Sequence, residues 1–401
     1  MEVTDVQYKE SEIGVIPVDW EVKTLGDVGE VKMCRRVFNQ ETKSEGVIPF
    51  YKIGTFGKEA DAYISQELYD NYRQRFSFPK TGDVLISAAG TIGRTMVYDG
   101  EPAYYQDSNI VWIDNKEGLV LNKYLYYVLQ VAKYNTEGGT IQRLYNSILK
   151  NTKFICPTKS EQTAIATALS DTDALIENLE KLIAKKRNIK QGVMQELLTG
   201  RKRLEGFDGN WELRKLGDLA EMYSGGTPPT TNDSFYNGDI PWVVIADMTK
   251  SGKYIYKTDK TITETGLQNS SAKLFKKGVI LFAMYASIGK CTIAQMDTAC
   301  NQAILGISTK LIDTEFLYYY LVYNESKFIL MGQTGTQSNL NKEIVQELRI
   351  PLPQRNEQIE IAGILSNIDN EIDVLEQKLR KSQMIKQGMM QALLTGKIRL
   401  V

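Results

Sequence analysis

Histidine is absent from all 401 residues. Its absence removes Ser–His and Cys–His nucleophilic catalysis and every His-ligated metal site. Cysteine is scarce: Cys34, Cys156, Cys291 and Cys300 stand far apart without CxxC spacing, so neither a zinc site nor a disulfide framework is indicated. No apolar run approaches the ~18 residues of a membrane span, and the first residues are polar and acidic, unlike a signal peptide. The expected location is the cytoplasm. An excess of one charge is missing too. The 48 Lys and Arg against 49 Asp and Glu leave a formal −1, so any surface for nucleic acid has to be local. What remains, 42% hydrophobic and 24% charged residues, is a globular composition in a chain long enough for two or three domains with their own cores.

The chain repeats itself. IKQGVMQELLTG (189–200) returns as IKQGMMQALLTG (385–396), and an offset of 196 aligns much more. Pro157, Glu161 and Gln162 fall on Pro353, Glu357 and Gln358, and GDVLISAAGTIGR (82–94) lies on GVILFAMYASIGK (278–290). Near the front the offset is 191: Trp20-Glu21 and Leu25-Gly26-Asp27 match Trp211-Glu212 and Leu216-Gly217-Asp218. Copy two therefore carries about five extra residues between its start and Gly278. The copies agree at the entry Trp, the strand before Ile-Gly-Arg/Lys and the helices, and diverge across 30–80 and 221–275.

Each copy has two parts. In the first, β-rich runs such as VIPFYKIG, DVLISA and SNIVWI, or IPWVVIA, VILFAM and AILGI, alternate with Gly, Asn, Asp and Pro. Helical pieces at 122–134 and 314–328 interrupt them, so the class is α+β, an irregular β core with packed helices. The second part is a long helix. Ile165, Leu169, Thr172, Ile176, Leu179 and Ile183 follow a 4-3-4-3-4 spacing, as do Ile361, Leu365, Ile368, Ile372, Leu375 and Leu379. That is the heptad signature, and it predicts two helices paired as an antiparallel coiled coil about a pseudo-twofold axis. Thr158 to Glu161 reads as a capping box, Gly200 and Gly396 as helix stops, and Gly192 and Gly388 as interior kinks. The predicted division is 1–157, 158–206, 207–353 and 354–401, globular part and helix in turn. LLTGKIRLV stops where copy one continues RKRLEGFDGNWELRKLGD, so the chain reads as a circular repeat cut at one joint.

Chemical motifs are weak. SIGKC (287–291) and GTIGRT (90–95) lack GxxxxGK[ST] spacing and read as turns after strands. GTPPT (226–230) lacks the Asn or Asp that amino-methyltransferases place before paired prolines, and Asp373 with Glu376 and Lys378 sits on solvent positions of the heptads. No acid, base and stabiliser converge, so a non-catalytic chain is expected, without metal or cofactor of its own.

Basic residues cluster locally: Arg35-Arg36, Arg73 with Arg75, Lys185-Lys186-Arg187, Arg201-Lys202-Arg203 and Lys276-Lys277. Gln142-Arg143 follows the glycine run EGGT, and Gln333, Gln337 and Asn339 bracket GTQSN at the matching place in copy two. Glycine loops with Gln, Asn and Arg suit phosphates and base edges. A solvated surface or a satisfied polar turn is the alternative for each. The candidate DNA-binding set is Arg35, Arg36, Arg73, Arg75, Gln142, Arg143, Lys276, Lys277, Gln333, Gln337 and Asn339, with Arg94, Thr227, Asn232, Tyr285 and Lys290.

Taken in order, WExxxLGD at both domain starts, SGGTPP (224–229) before GDIPWV (238–243), the TIGR and SIGK turns, and PxxxEQ before a heptad helix ending LLTG resemble the specificity subunits of type I restriction–modification systems. Copy one departs at VKMCRRV (31–37), where copy two has SGGTPP. The resemblance implies two target recognition domains, each reading half of an asymmetric bipartite site in double-stranded DNA. It implies helices that fix the spacing and dock two methyltransferase (M) subunits and restriction (R) subunits. S-adenosylmethionine, ATP and Mg would belong to those partners. A specificity protein of another restriction–methylation type, and a two-headed coiled-coil protein adaptor, stay open at this stage.

Overall fold

The computed structural model describes residues 7–134, 143–333 and 340–400. The chain divides into two compact units, Met1–Leu179 with Lys378–Val401, and Glu180–Gln377. Each unit holds one globular part and half of each long helix. Among the described residues no helix is long and apolar enough to cross a membrane.

In the first unit, a four-stranded antiparallel sheet runs Gly29–Lys32, Ile110–Asn115, Val84–Ser87, Thr95–Val97. Its strands alternate sides, as the two-residue pleat requires. Val84, Ile86, Val111 and Ile113 pack with Tyr124, Leu125 and Val128 of helix Asn122–Val131, while Leu85, Ile110 and Trp112 face a second core containing Phe50, Phe56 and Tyr104. Both faces are covered, which explains why these strands read as continuous apolar runs. A small sheet, Tyr63–Ile64, Ile48–Tyr51 and Tyr104–Tyr105, builds the outer core, its last pair parallel.

The second unit repeats this plan. Its main sheet runs Ala220–Ser224, Ile304–Thr309, Ile280–Ala283, Cys291–Ala294, and adds a fifth strand, Tyr254–Ile255. The outer sheet is Thr261–Ile262, Tyr236–Val243 and Ala299–Cys300, again with a parallel last pair. Among the described residues the helix Ile245–Lys250 and strand Tyr254–Ile255 have no counterpart in the first unit, and they lie where the extra residues of copy two were expected. The TIGR and SIGK segments are hairpin turns: Gly93 and Gly289, with φ of +83° and +86°, each donate back to the strand end at Ser87 and Ala283.

The long helices, Lys159–Leu197 and Arg355–Leu393, run unbroken through Gly192 and Gly388. They pair antiparallel. In the first unit Asp173 binds Lys386 and Thr172 donates to Met389 at 3.6 Å; in the second, Lys186 binds Glu371 and Lys190 binds Asp369. The repeat is reciprocal: Asp173 and Lys386 correspond to Asp369 and Lys190 after the 196-residue shift. Each aspartate also accepts from a tyrosine of its own unit, Tyr127 at 2.8 Å and Tyr319 at 2.7 Å. All predicted seam residues are buried or half-buried. Ile165 and Leu169 pack into one unit's core beside Leu393 and Leu394, and Ile361 and Leu365 into the other's beside Leu197 and Leu198. The outer heptads thus belong to globular cores: Phe154 and Ile155 of the short strand pair Glu21–Thr24 with Lys153–Cys156 share one cluster with Ile165 and Leu169.

The circular relation appears at two joints. Trp20 Nε1 donates to buried Glu161 at 3.0 Å, and Arg399 donates to the same carboxylate at 2.8 Å. Trp211 Nε1 donates to buried Glu357 at 3.0 Å, and Arg203 donates through Nε and Nη2 at 2.7 and 2.8 Å. Arg203 precedes its Trp by eight residues and Arg399 stands at the opposite end of the sequence, yet the two constellations match. Bonds from Arg399 hold the Asp19 carboxyl below its ordinary range. The expected capping box is half made: Thr158 accepts from the Glu161 amide at 3.4 Å, but the Glu161 carboxylate accepts from the Thr158 hydroxyl at 3.1 Å, from Trp20 and from Arg399. Gly200 and Gly396 end the helices at φ of +70° and +74°, and a Cβ there would crowd Trp211 at 3.2 Å and Pro17 at 2.5 Å.

Candidate nucleic-acid interface

In the first unit, the loop leaving Gly29–Lys32 carries buried Cys34 followed by exposed Arg35 and Arg36. Tyr104, from the outer sheet, donates its hydroxyl to the Arg35 carbonyl at 3.0 Å and pins the loop. Arg36 Nε donates to Asp107 at 2.9 Å. The helix Gln66–Arg75 is capped by Ser65 at its start, and its basic last turn suits the negative end of the helix dipole. Its last turn carries both Arg73 and Arg75, which meet different rings. The Arg35 and Arg75 guanidinium carbons lie 5.3 and 5.8 Å from the ring of Phe76, which is 38% exposed. Arg73 lies over Phe78 at 5.4 Å. The structure thus brings one arginine of each pair, Arg35 and Arg75, distant in sequence, to one exposed aromatic ring. Cation–π contact holds the guanidiniums in place without neutralising them.

Arg143 reaches the same loop as Arg36 from another direction, donating to Asn109 at 3.4 Å, two residues beyond Asp107. Arg94 is half-buried and donates to the Phe56 carbonyl at 2.7 Å, which ties it to the interior rather than to the arginine cluster. Gln142 lies outside the described residues.

The second unit builds the corresponding corner with other side chains. The loop leaving Ala220–Ser224 is pinned by Trp242, whose Nε1 donates to the Gly226 carbonyl at 3.0 Å. Glycine is required at that point, since a Cβ on Gly226 would stand 2.3 Å from the Ala272 nitrogen. Thr227 donates its hydroxyl to the Gln302 side-chain oxygen. Asn232 caps the short turn Asp233–Phe235 by accepting from Ser234. Tyr223, 39% exposed, has the ammonium groups of Lys273 and Lys342 at 3.7 and 5.4 Å from its ring. Lys276 pairs with Asp297, whose carboxylate also accepts from the Lys277 amide. Tyr285 is exposed, and Lys290 is half-buried with Nζ 3.4 Å from the Thr249 carbonyl. Gln333 ends the helix Glu325–Gln333, while Gln337 and Asn339 lie outside the described residues.

Sequence reasoning missed Phe76, Asp107, Asn109, Tyr223, Lys273, Gln302 and Lys342. A usable signal existed for Gln302, which follows the short parallel strand in the place Asp107 occupies in copy one. Lys273 and Lys342 carried none, because only the fold brings three separated segments to Tyr223. Among the described residues no group of three His, Cys, Asp or Glu side chains is placed to hold a metal ion. Guanidinium, ammonium and amide groups on pinned loops beside exposed rings can meet phosphates and base edges.

The model of the type I restriction modification DNA specificity domain matches residues 17–186 and again 208–382. Over 156 residues the chain is 58% identical to a candidate type I restriction enzyme specificity subunit of Haemophilus influenzae, an overlap spanning 39% of this chain and 40% of that one. It is 26% identical to the type I restriction enzyme MjaVIII specificity subunit of Methanocaldococcus jannaschii over 96% of this chain and 94% of that one. In fold it is similar to the crystal structure of a type I restriction–modification S subunit from M. genitalium, with a TM-score of 0.62, 17% identity and 98% of each chain covered.

Proposed function

The chain belongs to the type I restriction–modification DNA specificity family, and from that we propose that each of its two target recognition domains reads one half of an asymmetric bipartite site in duplex DNA. The observation that carries the reading is the pinned corner of each unit: one backbone plan, with arginines and Phe76 in the first and Thr227, Gln302 and a lysine-flanked Tyr223 in the second. Two related frames with unlike tips suit two unlike half-sites.

The helices serve as the spacer and as the docking surface for M and R subunits. Their 39 residues give each a length of ~58 Å at ~1.5 Å per residue, against ~34 Å for one turn of B-DNA. S-adenosylmethionine, ATP and Mg are held by those partners, and the work is done in the cytoplasm, where the DNA is. With a net charge of −1, the isolated chain binds duplex weakly and salt-sensitively.

Selection from randomised duplexes by gel shift, with and without the methyltransferase partner, tests the reading. Enrichment of a split motif in the presence of the partner is expected. No sequence preference under either condition would favour a protein adaptor instead.

A further inference from the structure

We propose that Arg36–Asp107 and Thr227–Gln302 are equivalent base-reading pairs of the two domains, the first taking a G·C pair and the second an A·T pair. The proposal rests on the reading of each domain as a reader of duplex DNA.

Equivalence comes from position. The two residues are separated by 191, the offset that lays Trp20 on Trp211. Both stand in the loop leaving the first strand of the main sheet, Gly29–Lys32 or Ala220–Ser224. Both partners stand in the short loop that joins the parallel outer strand, Tyr104–Tyr105 or Ala299–Cys300, to the next strand of the main sheet, Ile110–Asn115 or Ile304–Thr309. The residue just before each, Arg35 or Gly226, has its carbonyl fixed by an aromatic donor, Tyr104 or Trp242. The anchored carbonyl is therefore common to both domains, though its aromatic donor comes from different outer strands, and the side-chain pair at the tip differs.

Chemistry assigns the bases. The Arg36 side chain is 59% exposed and Asp107 only 16%, so the guanidinium can reach a ligand while the carboxylate sits at the edge of the loop behind it. In the major groove, guanidinium N–H groups match the O6 and N7 acceptors of guanine, and a carboxylate accepts from cytosine N4. The Gln302 amide matches adenine N6 and N7, and the Thr227 methyl suits the thymine methyl. Each pair thus offers groups for both members of one base pair, and in the free protein its two side chains are joined by a hydrogen bond, Arg36 Nε to Asp107 or Thr227 Oγ1 to Gln302.

Methylation mapping at single-base resolution, with the chain assembled with its methyltransferase partner on a randomised duplex library, tests this. R36T/D107Q is expected to convert one G·C to A·T in one half-site, and T227R/Q302D one A·T to G·C in the other. The truncations R36A and Q302A, which remove only exposed side chains, serve if a double variant fails to assemble. Each should relax discrimination at a single base pair, by about 10- to 100-fold. Uniform weakening across all sequences would assign these residues to phosphate contacts and overturn the proposal. So would unchanged specificity in modifying complexes. A wild-type complex without sequence preference would instead overturn the DNA reading beneath it.

Discussion

Replacing Gln162 with leucine removes a latch that ties the first long helix to its own domain. Gln162 is fully buried; its side-chain oxygen accepts from the Leu121 amide at 2.9 Å, and its nitrogen donates to the carbonyls of Leu119 and Pro157 at 3.1 and 3.0 Å. Leucine fills similar space but leaves a half-buried donor, the Leu121 amide, and two carbonyl acceptors without this partner. Each such group costs ~1–3 kcal/mol, partly offset by the added apolar burial, so a net loss of about 2–4 kcal/mol is expected. Because two units need not open together, amide hydrogen exchange is the appropriate readout. The loss corresponds to roughly 30- to 700-fold faster exchange at Leu121, at about 1.4 kcal/mol per tenfold. The equivalent latch in the second unit, Gln358 with the Asp313 amide at 2.7 Å and the Pro353 carbonyl at 2.8 Å, should be untouched. Gln358→Leu should produce the converse. Unchanged exchange at Leu121, or equal acceleration at Asp313, would refute the view that each helix start is fastened locally by its own domain.

Trp20→Phe removes the indole donor to buried Glu161 and should destabilise the first unit by about 1.5–3 kcal/mol, with Trp211→Phe acting on the second; urea unfolding followed by exchange at each unit checks both. The four cysteines are buried, and burial pushes the thiols of Cys34 and Cys300 up to about 12. A thiol reagent at pH 8 should therefore label none of the four in the native protein and all four in denaturant. One heptad inserted in each long helix, within 172–183 and 368–379, adds ~10 Å and should lengthen the unread spacer by about three base pairs of ~3.4 Å while leaving both half-sites intact. Methylation mapping reads the spacer directly, and an altered half-site would count against the helices as spacers.

The repeat was legible because the residues that fasten it are the ones that recur. Trp20, Glu161 and Gln162 reappear as Trp211, Glu357 and Gln358, and sliding the sequence on itself finds them. Their chemistry was not legible. Glu161 looks like the third residue of a capping box, and nothing local says that its carboxylate serves Trp20 and Arg399, 141 residues behind and 238 ahead. Strands were readable from apolar runs because both faces of each main sheet are buried. The candidate interface was readable only in pieces. Arg35 and Arg75 are visible as basic residues, but the Phe76 ring between them is set by the end of a helix forty residues from Arg35. Local charge shows which residues can meet phosphate, and topology decides which of them share a face.

Exchange of 207–353 for the recognition domain of another specificity subunit, followed by methylation mapping of the assembled complex, tests the central claim most directly. Two half-sites separated by an unread spacer of fixed length are predicted, with one half replaced and the other retained. A continuous site, or a change in both halves, would contradict the account of two independent readers in one chain.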